Sequence, residues 1–126
     1  MPRRELLVFV ALALAAISVG AQDTEVRMLV QSSPLAGFRY YEGKALWDEM
    51  KVGDALALVR EAGNPHDGNA VRVEWQGRPL GYVPQRENRA VAQHMDRGGR
   101  VEARISKLHK HLNASRRIEF EVFVRL

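Results

Sequence analysis

Along most of this chain, apolar and polar residues alternate in short runs, and turn residues interrupt the runs at regular intervals. Thr24 to Gln31 predicts a first strand with Val26, Met28 and Val30 on one face, broken by Ser33-Pro34-Leu35-Ala36-Gly37. Lys44 to Met50 reads as a short helical turn, and Gly53-Asp54 as a tight turn. A second strand spans Ala55 to Glu61, with Leu56, Leu58 and Arg60 opposite Ala57 and Val59. The third, Ala70 to Trp75, alternates most cleanly: Val71, Val73 and Trp75 face one way, Arg72 and Glu74 the other. Gln76-Gly77 turns the chain into a fourth strand, Pro79 to Val83, which Pro84 stops. The period then becomes helical. Ala90, Val91, His94 and Met95 share one side of a helix predicted from about Arg86 to Arg97, ended by Gly98-Gly99. Two last strands, Val101 to Leu108 and Ile118 to Val124, flank a polar turn around Asn113-Ala114-Ser115. About six strands, one main helix and one short helix predict a mostly β domain, a small partly open β-barrel of the OB/SH3-like kind. Trp75, Phe120 and Phe123 are expected in its core.

The first residues follow a different pattern. Arg3 and Arg4 precede an unbroken apolar run from Leu6 to Ile17, and Val19-Gly20-Ala21 fits a small-x-small cleavage site. Residues 1–21 are therefore expected to be a signal peptide that exports the chain, to the periplasm or beyond. The run falls short of the roughly 20 residues of a membrane span, and an uncleaved anchor is the alternative. Residues 22–126 then form the domain. The sequence has no cysteine, which excludes disulfides and thiolate metal sites and suits an oxidising compartment.

Charge adds an asymmetry. Residues 22–71 carry 5 Lys/Arg against 8 Asp/Glu, whereas residues 72–126 carry 12 against 6. Such a balance suggests a basic surface for a polyanion, or simply a solvated face of mixed charge.

The loop between the second and third strands is over-specified for a connection. Asn64-Pro65 favours an extended-then-turn path, Asp67 and Asn69 can bond back to nearby N–H groups, and Gly68 is expected to supply a positive φ. Loops held this firmly on strands concentrate binding residues. Arg39-Tyr40-Tyr41, upstream, offers a ring to stack on an unpaired base and a guanidinium to grip phosphate, unless the tyrosines merely pack at a strand edge.

The string Arg60-Glu61-x-x-Asn64-Pro65-x-Asp67-x-Asn69-Ala70-Val71-x-Val73, followed by Leu80-Gly81-Tyr82-Val83-Pro84, resembles the HIRAN domain. That family is a small β-barrel module found at the front of helicase-like chromatin and repair ATPases, and alone in bacteria. The resemblance runs from about Val26 to Val124. It implies a non-catalytic module that recognises single-stranded DNA, by its 3′-hydroxyl end. Arg39 and Tyr40 match the pair that grips this end; Asn64, His66 and Asp67 match the loop that faces the terminal nucleotide, with Asp67 accepting from the 3′-hydroxyl. His66 departs from the Tyr of many relatives and stacks with less area. Tyr82 matches a position near the terminal phosphates, where core packing is the competing role. Gln85 replaces the Lys of some relatives, which leaves Arg86 or Arg89 as the expected cation. The leader motivates an alternative: an exported envelope domain of the same fold that binds a peptide, glycan or protein partner.

Other chemistry finds little support. His109 and His111 share a strand face at a spacing for two metal ligands, but no third ligand follows them. Asp67-x-Asn69 lacks the rest of a calcium loop. Asn113-Ala114-Ser115 is a glycosylation sequon, meaningful only in a eukaryotic secretory pathway. No Ser/His/Asp order, phosphate loop or paired carboxylates at reactive spacing are present, so neither enzyme activity nor a cofactor is expected.

Overall fold

The computed structural model describes residues 25–126. The expected leader over residues 1–21 lies outside the described residues. Six strands form one antiparallel sheet: β1 (Arg27–Pro34), β2 (Ala55–Arg60), β3 (Val71–Trp75), β4 (Arg78–Tyr82), β5 (Val101–Leu108) and β6 (Ile118–Arg125). Their spatial order is β1-β6-β5-β2-β3-β4, and the sheet does not close. Its two edges touch at one bridge, where Ala36 and Tyr82 exchange backbone hydrogen bonds of 2.9 Å each. This is the mostly β, OB-like architecture that the alternation predicts. Two helices interrupt the strands, α1 (Gly43–Leu46) and α2 (Arg89–Asp96), with a 3₁₀ turn, Trp47–Glu49, following α1. Among the described residues no helix is long and apolar enough to cross a membrane.

Period-two alternation decides the core. Val71, Val73 and Trp75 of β3 and Ile118, Phe120, Val122 and Val124 of β6 point inward, with Leu35, Phe38, Leu46 and Leu80 filling the space beside them. Burial of this apolar surface at about 25 cal/mol per Å² is the main stabilising term. The Gln76-Gly77 turn forms as expected, with φ of 48° and 77°, the left-handed pair of a tight hairpin.

Four expectations need correction. First, β1 begins at Arg27 and runs through Ser33 to Pro34, an edge position where proline's missing N–H costs no ladder bond. Val26, Met28, Leu29 and Val30 are all exposed on this edge strand, and a bulge between Leu29 and Gln31 breaks the predicted alternation. Second, Phe123 has the parity of Glu119 and Glu121; it faces outward beneath Arg104, whose guanidinium lies 4.7 Å from the ring centre. Third, the helix expected from Arg86 splits into a 3₁₀ turn, Gln85–Glu87, and α2. Its buried face is Asn88, Val91 and Ala92, while Ala90 is exposed. Fourth, β5 ends at Leu108, so His109 and His111 lie in the following loop instead of on a strand face. His111 Nδ1 there accepts the Asn113 N–H at 3.0 Å, and the described residues hold no group of three or more potential metal-ligating side chains.

Candidate functional site

The β2–β3 loop is built as a set of interlocked local turns. Asn64 Oδ1 accepts the N–H groups of His66 (2.9 Å) and Asp67 (3.2 Å). Asp67 Oδ1 accepts the Asn69 N–H at 2.9 Å. The Asx turns thus belong to Asn64 and Asp67, whereas Asn69 contributes its backbone. Gly68 is not among the positive-φ glycines, contrary to expectation; its carbonyl accepts Arg60 Nη2 at 2.7 Å instead. Arg60 also donates to the Ala70 carbonyl and, through two nitrogens, to Asp96 at the end of α2 (2.9 and 3.1 Å). One arginine therefore ties the loop to the helix, in the planar fork that this side chain favours.

Asp67 has a second anchor. Asn88 Nδ2 donates to Asp67 Oδ2 at 2.7 Å, and Asn88 is buried. Asn88 occupies the N-cap position of α2, where asparagine commonly caps with its side chain, yet it makes no side-chain cap bond and spends its amide on the loop. This bond joins α2 to the loop; Arg86 and Arg89, on either side of Asn88 in the chain, are both exposed.

Glu61 is the hub on the other side. Its Oε1 accepts from Tyr82 Oη at 2.8 Å and Asn64 Nδ2 at 3.1 Å, and its Oε2 pairs with Arg72. Burial alone pushes the Glu61 carboxyl up, but hydrogen bonds from Tyr82, Asn64 and Arg72 outweigh it and hold it below its ordinary value. Burial, reinforced by the bond to Glu61, pushes the Tyr82 phenol up to about 12. Tyr41 meets Tyr82 edge to face, with ring centres 5.8 Å apart.

The raised phenol has a consequence for stability. A folded-state pKa above the ordinary value of about 10 means that the neutral phenol is favoured by folding. That contribution is present below pH 10 and fades as pH rises toward 12. Tyr82→Phe is therefore expected to cost about 1–2 kcal/mol at pH 7, and the gap from the parent to close between pH 10 and 12. Urea unfolding across this range checks it; a gap independent of pH would contradict the raised phenol.

The predicted residues thus fall into two groups. Asn64, Asp67 and Tyr82 belong to one hydrogen-bonded wall with His66 exposed at its loop, while Arg86 and Arg89 are exposed neighbours in sequence of Asn88, with no contact to the wall among those described. Arg39 and Tyr40 sit on a 3₁₀ turn, Phe38–Tyr40, whose following residue, Tyr41, joins that wall. Tyr40 is 74% exposed, with the Arg39 guanidinium 5.2 Å from its ring centre. Arg39 and Tyr40 line an open groove of about 530 Å³ whose far bank is Leu112, Asn113, Ala114 and Arg117. Sequence reasoning missed two structural members, Glu61 and Asn88, each partnered 21 positions away with no local signature; Tyr41, named with Arg39 and Tyr40, takes the packing alternative against Tyr82.

Comparison with known proteins agrees with this architecture. The HIRAN domain family profile matches residues 28–126. A crystal structure of a protein from Lactobacillus plantarum is similar with a TM-score of 0.70 and 28% identity, covering 80% of this chain and 97% of that one. The crystal structure of the HIRAN domain of human HLTF shares the fold at a TM-score of 0.58 and 23% identity, covering 79% of this chain and 78% of that one. No curated protein sequence matches the chain. By its motif string, its six-stranded sheet and a family match over nearly all the described residues, this chain belongs to the HIRAN domain family.

Proposed function

We propose that this domain is a non-catalytic nucleic-acid-binding module that takes the 3′-hydroxyl end of single-stranded DNA against the Asn64–Asp67 loop. Membership of the HIRAN family supports a nucleic-acid ligand. The observation that carries the reading is Tyr40, a large ring held outward on a short turn beneath a guanidinium, whose neighbour Tyr41 packs on Tyr82 and so connects the turn, through Glu61, to the braced loop. Such a ring stacks on an unpaired base, and the neighbouring cation takes the phosphate. Asp67 suits the terminal hydroxyl. A carboxylate has about four lone-pair sites, and Asn69 and Asn88 use two of them. The remaining sites accept a hydroxyl proton. His66 offers an edge or face to the terminal sugar and base, and Arg86 and Arg89 meet the phosphates. Tyr82 contributes by holding Glu61 and Tyr41, a positioning role.

Loss of one stacked base costs about 1–3 kcal/mol, so Tyr40→Ala is expected to weaken binding of a fluorescent single strand by roughly 5- to 150-fold. The melting curve should hardly move, since the ring is exposed. Fluorescence anisotropy reads both proteins; unchanged affinity in the variant would remove Tyr40 from the site and with it the main support for this reading.

A further inference from the structure

Beyond Tyr40 the groove does not end. It continues into a second open groove of about 500 Å³, and the two share Phe38, Lys44, Leu112 and Arg117. The second stretch adds Trp47, Lys110 and His111, with Asp48 as its one acidic residue. Its floor is the half-buried Trp47, packed edge to face on the core residue Phe38 with ring centres 5.9 Å apart. Arg117 stands over Phe38 at 5.5 Å from the ring centre and donates from Nε to the His111 carbonyl at 2.7 Å. That bond fixes the far bank, on which Leu112 is wholly exposed. Lys44 and Lys110 are exposed on opposite banks. A channel with exposed cations, a half-exposed indole in its floor and an exposed apolar side chain at its rim has the chemistry of a path for a single strand: phosphates along the cations, bases against Trp47 and Leu112.

We infer that this channel is a second subsite, which carries the nucleotides lying 5′ of the end held at the Asn64–Asp67 loop, with Lys44 and Lys110 as its phosphate contacts. The inference rests on the nucleic-acid reading above and assigns residues that lie outside the motif strings. Direction follows from the chain of contacts: Tyr41 packs on Tyr82, which Glu61 ties to Asn64 of the loop, and Tyr40, next in the chain, lines the groove from which the channel continues.

The test is a length series, from dinucleotide to octanucleotide with one 3′-hydroxyl end, on the full chain and on Lys44→Gln/Lys110→Gln. The parent protein is expected to bind the octanucleotide roughly tenfold more tightly than the dinucleotide. The double variant should keep its dinucleotide affinity and lose most of that gain. Its slope of log affinity against log salt for the octanucleotide should fall by about 1.4, since each neutralised phosphate of a single strand contributes about 0.7. A variant that keeps the full gain would overturn the subsite. So would polyglutamate that competes for the parent as well as the octanucleotide does, which would indicate an acidic polypeptide channel. Dinucleotide binding with no gain on lengthening overturns the subsite and leaves the end pocket standing. A length gain with indifference to a blocked 3′ end does the reverse, and no binding of any oligonucleotide overturns both.

Discussion

Gly81→Ala is expected to lower the thermal midpoint by roughly 15 °C, the largest single-residue effect foreseen for this fold. The reason is a collision with backbone. A Cβ at position 81 would stand 2.1 Å from the Ala36 carbonyl oxygen, and that oxygen accepts the Tyr82 N–H in the bridge joining the two sheet edges. A flexible side chain could step aside; a carbonyl bonded within a two-way bridge cannot, without opening the bridge. Overpacking typically costs 1–3 kcal/mol, and the upper end is expected here. For a domain of this size each kcal/mol is worth about 4–8 °C. Tyr82 follows Gly81 directly, so the same change pulls its hydroxyl away from Glu61 and loosens the candidate site. Gly63→Ala is the control: it has no positive φ and no atom within 4 Å of its added Cβ, and it should stay within about 0.5 kcal/mol of the parent. Circular dichroism melts of both variants check the pair. A Gly81→Ala midpoint within about 3 °C of the parent would mean that the edge bridge is not a structural closure.

The fold was legible because its decisive signals are local. Alternation in β3, β5 and β6, the Gln76-Gly77 turn and the Pro84 stop each act within a few residues, and each element formed near its predicted bounds. The misread elements depended on partners remote in sequence. The first strand is an edge with a bulge, and its apolar residues never reach the core. Phe123 is apolar yet has the parity of the outer face, and parity outweighs side-chain type in a strand with one buried side. Helix α2 is joined to the loop by Asn88 and Asp67, a contact spanning 21 positions.

The candidate site divides in the same way. The Arg60-Glu61-x-x-Asn64 string identifies the family because it encodes a mechanical device: Arg60 ties the loop to α2, and Glu61 ties it to Tyr82 and Arg72. Motif residues of this kind hold the loop still, and fewer of them are free to touch a ligand. The outward-facing chemistry, at Arg39, Tyr40, Lys44 and Lys110, carries much weaker sequence marks. Only assembly of the 3₁₀ turn beside the β5–β6 loop brings it together.

The second large effect concerns the terminal hydroxyl. In the proposed mode a 3′-hydroxyl would donate its proton to Asp67, a bond to a charged group worth about 1.5–3 kcal/mol. A 3′-phosphate, largely a dianion at neutral pH, would have no such proton to give and would bring negative charge against a carboxylate whose Oδ1 and Oδ2 already accept from Asn69 and Asn88. Loss of the bond and like-charge repulsion act in the same direction. Arg86 and Arg89 offset part of the repulsion, but both are exposed and screened by salt. The expected penalty is therefore about 10- to 100-fold in affinity. Competition at fixed salt between two single strands of one sequence, ending in a 3′-hydroxyl or a 3′-phosphate, measures it directly. A preference of at least about tenfold for the free hydroxyl is the result expected if the Asn64–Asp67 loop receives a strand end; equal binding of the two would contradict it.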